Sequence, residues 1–157
     1  MNKITQYELL FDEDRMLYLI KDKEFKYKKE NMPMLDRPDS IASFMNKAYK
    51  FNKLASEKLY AVVCDNALRG ICIIEISAGD IDSSLSCTHK ILSSVLKTGW
   101  NKFFLVHNHP SGSEKPSKED IATTKEIMRA CNLTGLRLLD HIIIGGKKYT
   151  SLMEGYL

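Results

Sequence analysis

The sequence predicts a mixed α/β domain in which helices lie beside a mostly antiparallel sheet. Three observations predict it. Short apolar runs bounded by turn residues recur along the whole chain, as strands require. Between them lie segments with apolar residues at helical spacing and recognisable start and stop residues. Near the C-terminus, Gly145–Gly146 separates "LRLLDHIIIG" from "KKYTSL", a strong hairpin signal.

The elements follow in order. "ITQYELLF" and "MLYLI" are strands around the turn "DEDR", and "KDKEFKYKKE" continues the second with rough alternation, so residues 4–29 read as an N-terminal β-hairpin. The five lysines of that last stretch alternate with Phe25 and Tyr27, but Asp22, Glu24 and Glu30 dilute the charge, so a solvated sheet edge is expected. "NMPMLDRPD" carries two prolines and is the plausible linker, which divides the chain into an extension, 1–38, and a domain, 39–157. Asp39 or Ser40 can cap a helix reaching about Ala55, with Ile41, Phe44, Met45, Ala48 and Tyr49 inward. "KLYAVVCD", the turn "NALRG" and "ICIIEIS" form a second hairpin, and "AGDIDSSLS" is a loop. Thr88 to Thr98 is a helix stopped by Gly99, "KFFLV" a strand buried on both faces, and Ser117 to about Leu133 a helix closed by Gly135.

The totals exclude several classes. With 157 residues the chain can bury a core without disulfides, and 44% hydrophobic with 27% charged residues is ordinary for a soluble protein. A net charge of +3 permits a nucleic-acid partner without arguing for one. The four cysteines form no CxxC pair, the N-terminus reaches acidic residues before any signal-peptide core, and no apolar run is long enough to span a bilayer. A cytoplasmic protein with no membrane partner is expected.

The chemistry is concentrated in "FFLVHNHPSGSEKPSKEDI", residues 103–121. Side chains two apart on a strand point the same way, so His107 and His109 can reach one point. The Gly/Pro/Ser loop can return the chain across that point to Asp120, in the first turn of the next helix, giving a His₂Asp set for zinc with a position open for water. The same residues also read as a strand, a turn and a capped helix, because Ser117-x-x-Asp120 is a capping-box pattern. Spacing alone leaves both readings standing. The contiguous "HNH" is not a nuclease motif, since Asn108 would point away from both histidines.

"HNHPSG…PSKED" fits the JAMM (MPN+) metalloprotease pattern: His-x-His, seven residues, Ser, two residues, Asp. More narrowly, "LVHNHPSGSEKPSKEDI" followed by "LLDHIIIGGKKYTSL" resembles the JAB domain of the bacterial RadC family, from about Asp39 to the C-terminus. The resemblance implies a JAB/MPN-like, cytidine-deaminase-like curved mixed sheet flanked by helices. It implies zinc as cofactor, with His107, His109 and Asp120 as metal ligands, and catalytic roles for Glu57 as general base and Ser117 as oxyanion donor. Glu75 is the alternative base, and Asp140 and His141 are expected to be structural or to support the ligands. The implied reaction is hydrolysis of a peptide or isopeptide bond in an unknown protein or peptide substrate. A metal-dependent nuclease and a non-catalytic module in DNA repair or recombination are the alternatives.

Two departures bear on this. Residues 1–38 read as strands and loop rather than the helix-hairpin-helix region that ties RadC proteins to DNA, and these strands could pair with a second copy to make a homodimer. Cys87 stands where the family commonly has a histidine, with His89 two residues later.

Overall fold

The computed structural model describes residues 2–78 and 84–157. Seven strands form one mixed sheet in the order β2-β1-β4-β3-β5-β6-β7. Strands β1 (Asn2–Phe11) and β2 (Leu17–Tyr27) form the N-terminal hairpin; β3 (Lys58–Cys64) and β4 (Gly70–Ala78) form the second; β6 (Arg137–Gly145) and β7 (Lys148–Ser151) form the third. Strand β5 (Lys102–Asn108) lies inside the sheet between β3 and β6, antiparallel to the first and parallel to the second. The N-terminal hairpin is bonded into this sheet, since β1 runs parallel to β4 from Thr5↔Cys72 to Glu8↔Glu75 and Ile4 is fully buried.

Strand alternation sorts the core into two layers. Tyr60, Val62, Cys64, Phe104 and Val106 face helix α1 (Pro38–Tyr49), together with Ile41, Phe44 and Met45. Leu59, Ala61, Val63, Phe103 and Leu105 face the opposite layer, helices α2 (Ser84–Lys97) and α3 (Lys118–Thr134), through Ile91, Val95, Ile127 and Cys131. Residues 103–108 are all buried, as a strand covered on both faces must be. The four cysteines are free and buried, packed as small hydrophobes. Among the described residues no helix is long and apolar enough to cross a membrane.

Several boundaries differ from expectation. Helix α1 is capped at Arg37, not at Asp39 or Ser40, because Pro38 takes the first helical position and forces the residue before it into extended backbone (φ −142°, ψ 153°). Ser40 still serves the cap: its hydroxyl accepts from Arg37 N–H at 3.3 Å and donates to Arg37 O at 2.8 Å. The helix ends at Tyr49 rather than Ala55, since Lys50 turns left-handed (φ 52°) and a 3-10 turn, Phe51–Lys53, follows and buries Phe51. Helix α2 begins at Ser84, four residues before the expected Thr88, taking in the end of the expected "AGDIDSSLS" loop; residues 79–83 of that loop lie outside the described residues. The last turn is Gly146–Lys147, one residue beyond the expected pair, because Gly145 closes the β6–β7 ladder against Lys148.

Candidate metal centre

Strand β5 delivers its chemistry at its C-terminal end. The parity that sends Phe103 and Leu105 toward α3 also sends His107 there, and His109 follows one step beyond the strand. The His107 side chain is fully buried and that of His109 is 15% exposed. Their Nε2 atoms stand 2.9 Å apart. The Asp120 carboxylate closes the group, with Oδ1 3.3 Å from His107 Nε2 and Oδ2 3.5 Å from His109 Nε2.

The donor set fits a divalent metal. A tetrahedral ion with ligand bonds of 2.0–2.1 Å has edges of about 3.3 Å. Both His-to-Asp separations are close to that value, and the His-to-His separation is a few tenths shorter. His109 Nδ1 lies 2.9 Å from the Ser113 carbonyl oxygen, which can only accept, so that nitrogen carries a proton and Nε2 is the nitrogen turned toward His107 and Asp120. Burial pushes His107 down to about 4, with Asp120 opposing and His109 reinforcing the shift, so His107 is neutral near pH 7. Two imidazole nitrogens and a carboxylate converging on one point are what a zinc-type ion requires.

Asp120 is placed by the cap that the alternative reading predicted. Ser117 Oγ accepts from Asp120 N–H at 3.0 Å, and Asp120 Oδ2 accepts from Ser117 N–H at 2.7 Å, a reciprocal capping box at the start of α3. Capping and metal readings therefore use one geometry: the cap orients the carboxylate, and Oδ1 is left facing His107. Ser117 spends an oxygen lone pair on the cap, which leaves its hydroxyl proton for another acceptor.

The two candidate glutamates separate clearly. A carboxylate oxygen of Glu57 and one ring nitrogen each of His107 and His109 lie within 4.8 Å of one another. Glu75 instead accepts from Tyr60 Oη at 2.7 Å and pairs with Lys58 Nζ at 2.9 Å on β4. Glu57 is held by a residue that sequence reasoning passed over. Asn108 does point away from the histidines, and there its Oδ1 accepts from Lys58 N–H at 2.9 Å while its Nδ2 donates to Ser56 O at 3.0 Å. Its amide thus brackets Glu57 on both sides, continuing the β3–β5 ladder one rung past the Leu59↔His107 pair.

Two more residues support the site without a motif to announce them. Gly145 lies under the loop that holds His109: a Cβ there would sit 2.2 Å from Ser113 C and 2.4 Å from Ser113 O, with no room. Thr124 lies one turn after Asp120 on α3, and its Oγ1 is 2.6 Å from Asp120 O and 2.7 Å from His141 Nδ1. The other ring nitrogen of His141 is 2.8 Å from His107 Nδ1, so His141 touches a candidate ligand from behind. The spacing of four between Asp120 and Thr124 was a visible signal; the close approach at Gly145 was not. Asp140 organises backbone, accepting from His141 N–H at 2.7 Å and Met153 N–H at 3.2 Å, and its burial raises its pKa. Cys87 packs in the α2–α3 core layer, where burial pushes its thiol up to about 11, and His89 is exposed on α2.

A helix-flanked mixed sheet that presents His-x-His from the end of an inner strand to a helix-start aspartate is the arrangement of the JAB/MPN class. Comparison with known proteins narrows this: residues 35–157 match the RadC-like JAB domain, and the chain belongs to the RadC family. It is 37% identical over 124 residues to a UPF0758 protein of Finegoldia magna, covering 77% of this chain and 53% of that protein. A UPF0758 protein of Bacillus licheniformis is 36% identical over 121 residues, covering 76% and 53%, and one of Coprothermobacter proteolyticus is 41% identical over 96 residues, covering 61% and 41%. The chain spans about half the length of the curated relatives it matches.

Proposed function

We propose that this chain is a zinc-dependent hydrolase of JAMM type acting on peptide or isopeptide bonds. The observation that carries the reading is the convergence of His107 Nε2, His109 Nε2 and the Asp120 carboxylate, with the Glu57 carboxylate beside them. His107, His109 and Asp120 hold the metal. Zinc supplies a Lewis acid and lowers the pKa of coordinated water toward about 7.

The protein's own groups do the rest. Glu57, fixed through its flanking peptide groups by Asn108, takes the proton of the attacking water and returns it to the leaving amine. Ser117 donates a hydrogen bond from its hydroxyl to the carbonyl oxygen as negative charge develops there. The cap holds that hydroxyl in place before substrate arrives, so no reorganisation is needed at the moment of reaction. The test is Glu57→Gln in zinc-loaded protein, assayed on peptide, isopeptide and single-stranded nucleic-acid substrates. Glu57→Gln is expected to keep its zinc and lose about 10²–10⁴-fold in amide hydrolysis. Wild-type zinc protein that cleaves only nucleic acid, or a Glu57→Gln variant as active as wild type, contradicts the proposal.

A further inference from the structure

Between the C-terminal end of α1 and the sheet lies a second cleft, of about 390 Å³. Gln6 of β1, Glu75 of β4 and Tyr60 of β3 line it from the sheet, Tyr49 from the last turn of α1 and Lys23 from β2. Tyr60 packs in the α1 layer of the core, so this cleft opens on the face opposite the one from which His107 projects.

Two polar atoms in its lining have nothing to bond. Gln6 is 2% exposed, and among the described residues its Oε1 has no hydrogen-bond partner; Tyr49 Oη is buried in the same condition. Buried polar atoms without partners are few in native proteins, because each one destabilises the fold. An apolar side chain of the same shape would pack at position 6 without that cost. Lys23 stands directly opposite Gln6 in the β1–β2 pairing, and its Nζ lies 4.7 Å from the centroid of the Tyr49 ring. This exposed side chain therefore runs from beside one unpartnered group to the other. A cation–π contact at an exposed place is weak, so Lys23 can swing aside.

Charge does not select the occupant. Both Glu75 oxygens are already engaged, one with Lys58 Nζ at 2.9 Å and the other with Tyr60 Oη at 2.7 Å. Glu8, Asp22, Lys23 and Lys50 are exposed at the rim, of both signs and screened by solvent. An ion brought down to Gln6 would lose its hydration and meet no uncommitted counter-charge. A neutral group is required, with an N–H for Gln6 Oε1 and an oxygen for the Tyr49 O–H. Burial first, then the carboxylates of Asp22 and Glu75, raise the pKa of the Tyr49 phenol, so it keeps that proton. A carboxamide carries both functions in one plane, and it can pair with the Gln6 amide through two antiparallel hydrogen bonds.

We propose that this cleft binds the carboxamide of a glutamine or asparagine side chain, seated against Gln6 and Tyr49 with Lys23 as its movable cover. The site is separate from the candidate metal centre, and neither zinc nor hydrolysis enters its test.

The experiment is a ¹H–¹⁵N titration of the full chain with N-acetylglutamine methylamide and its asparagine counterpart. The glutamate and methionine analogues, which share the capped backbone, are the controls. Saturable shifts are expected at the Gln6 side-chain amide and at the backbone of Lys23 and Tyr49, with the glutamate analogue at least about tenfold weaker and the methionine analogue inert. Gln6→Met should bind at least about tenfold less tightly, yet be no less stable to urea than wild type, because the amide has no partner to lose. Lys23→Ala should bind as tightly as wild type or more so. Titration of free L-glutamine and L-asparagine beside the capped forms identifies the source as an amino acid or a peptide, and either supports the proposal. It is overturned if neither carboxamide gives saturable shifts, if a control binds equally well, or if Gln6→Met binds like wild type. A Gln6→Met protein that is less stable or fails to fold also overturns it, since the amide would then serve the fold. Weaker binding by Lys23→Ala overturns the role of Lys23 as a cover.

Discussion

Asn108 Oδ1 accepts from Lys58 N–H at 2.9 Å and Asn108 Nδ2 donates to the Ser56 carbonyl at 3.0 Å, so the residue between the two histidines fixes the peptide groups on either side of Glu57. One turn of chain thus ties the candidate ligands to the candidate base. Asn108 points to the face opposite His107, so the strand serves the site from both its faces.

Asn108→Ala should leave the metal and take away the base. The Lys58 N–H and the Ser56 carbonyl would lose their partner in a partly buried place, at a cost of about 1–3 kcal/mol for a group left unsatisfied. Urea unfolding should show that loss while zinc content stays at the wild-type level and hydrolysis falls toward that of Glu57→Gln. Reduced zinc content in folded Asn108→Ala would mean that Asn108 supports the ligands instead.

Gly145→Ala should weaken metal binding from beneath the loop. The added methyl would meet Ser113 backbone at 2.2–2.4 Å, and moving Ser113 removes the carbonyl that orients His109. Zinc affinity should fall by about tenfold or more, as when an outer partner of a ligand is lost. Gly155→Ala, where an added Cβ meets nothing within 4 Å, should leave affinity unchanged. Isothermal titration of both variants makes the comparison.

Ser117→Ala removes the acceptor from the α3 cap and the hydroxyl from the site together. Stability should drop by about 0.5–2 kcal/mol, the usual loss for a serine cap. Zinc stoichiometry should persist, because Asp120 Oδ2 still accepts from the backbone N–H of residue 117. Ser117→Asn restores the cap acceptor but not the hydroxyl, so a kcat that stays low in it while stability recovers assigns the loss to the oxyanion role rather than to the cap.

The metal-free protein should lose stability as pH falls from about 6.5 toward 4. Burial lowers the His107 pKa from its ordinary 6.5 to about 4, and that of His141 also falls well below 6.5. Between these values the unfolded chain binds protons that the folded chain refuses, so acid favours unfolding there; above pH 6.5 both forms are neutral and the contribution is flat. His107 alone accounts for at most on the order of 3 kcal/mol. Urea midpoints at pH 4.5, 5.5, 6.5 and 7.5 check this, with saturating zinc expected to steepen the fall because protons then compete with the metal as well.

The sequence made some of this legible for physical reasons. Strand period placed His107 and His109 on one side, and the Ser117-x-x-Asp120 pattern placed a carboxylate at a helix start. Both are local rules, and both held. Choosing between Glu57 and Glu75 rested on resemblance to RadC, because the packing of the residue 51–57 turn against the end of β5 is a tertiary matter. The cap of α1 was misplaced because Pro38 outranks the more obvious Asp39 and Ser40 as a helix start. Asn108, Thr124 and Gly145 act through partners 50, 17 and 32 residues away, respectively, and no local pattern marks such pairs.

The central claim is that His107, His109 and Asp120 form a metal site, and zinc content by mass spectrometry tests it most directly. Wild type, His109→Ala and Asp120→Ala would be dialysed against zinc, then against metal-free buffer, with folding checked by circular dichroism. The account predicts about one zinc per wild-type chain and a loss of that zinc in both variants. No stoichiometric zinc in the wild type, with all three proteins equally folded, would contradict it and leave the strand, the turn and the capped helix as a scaffold without a metal.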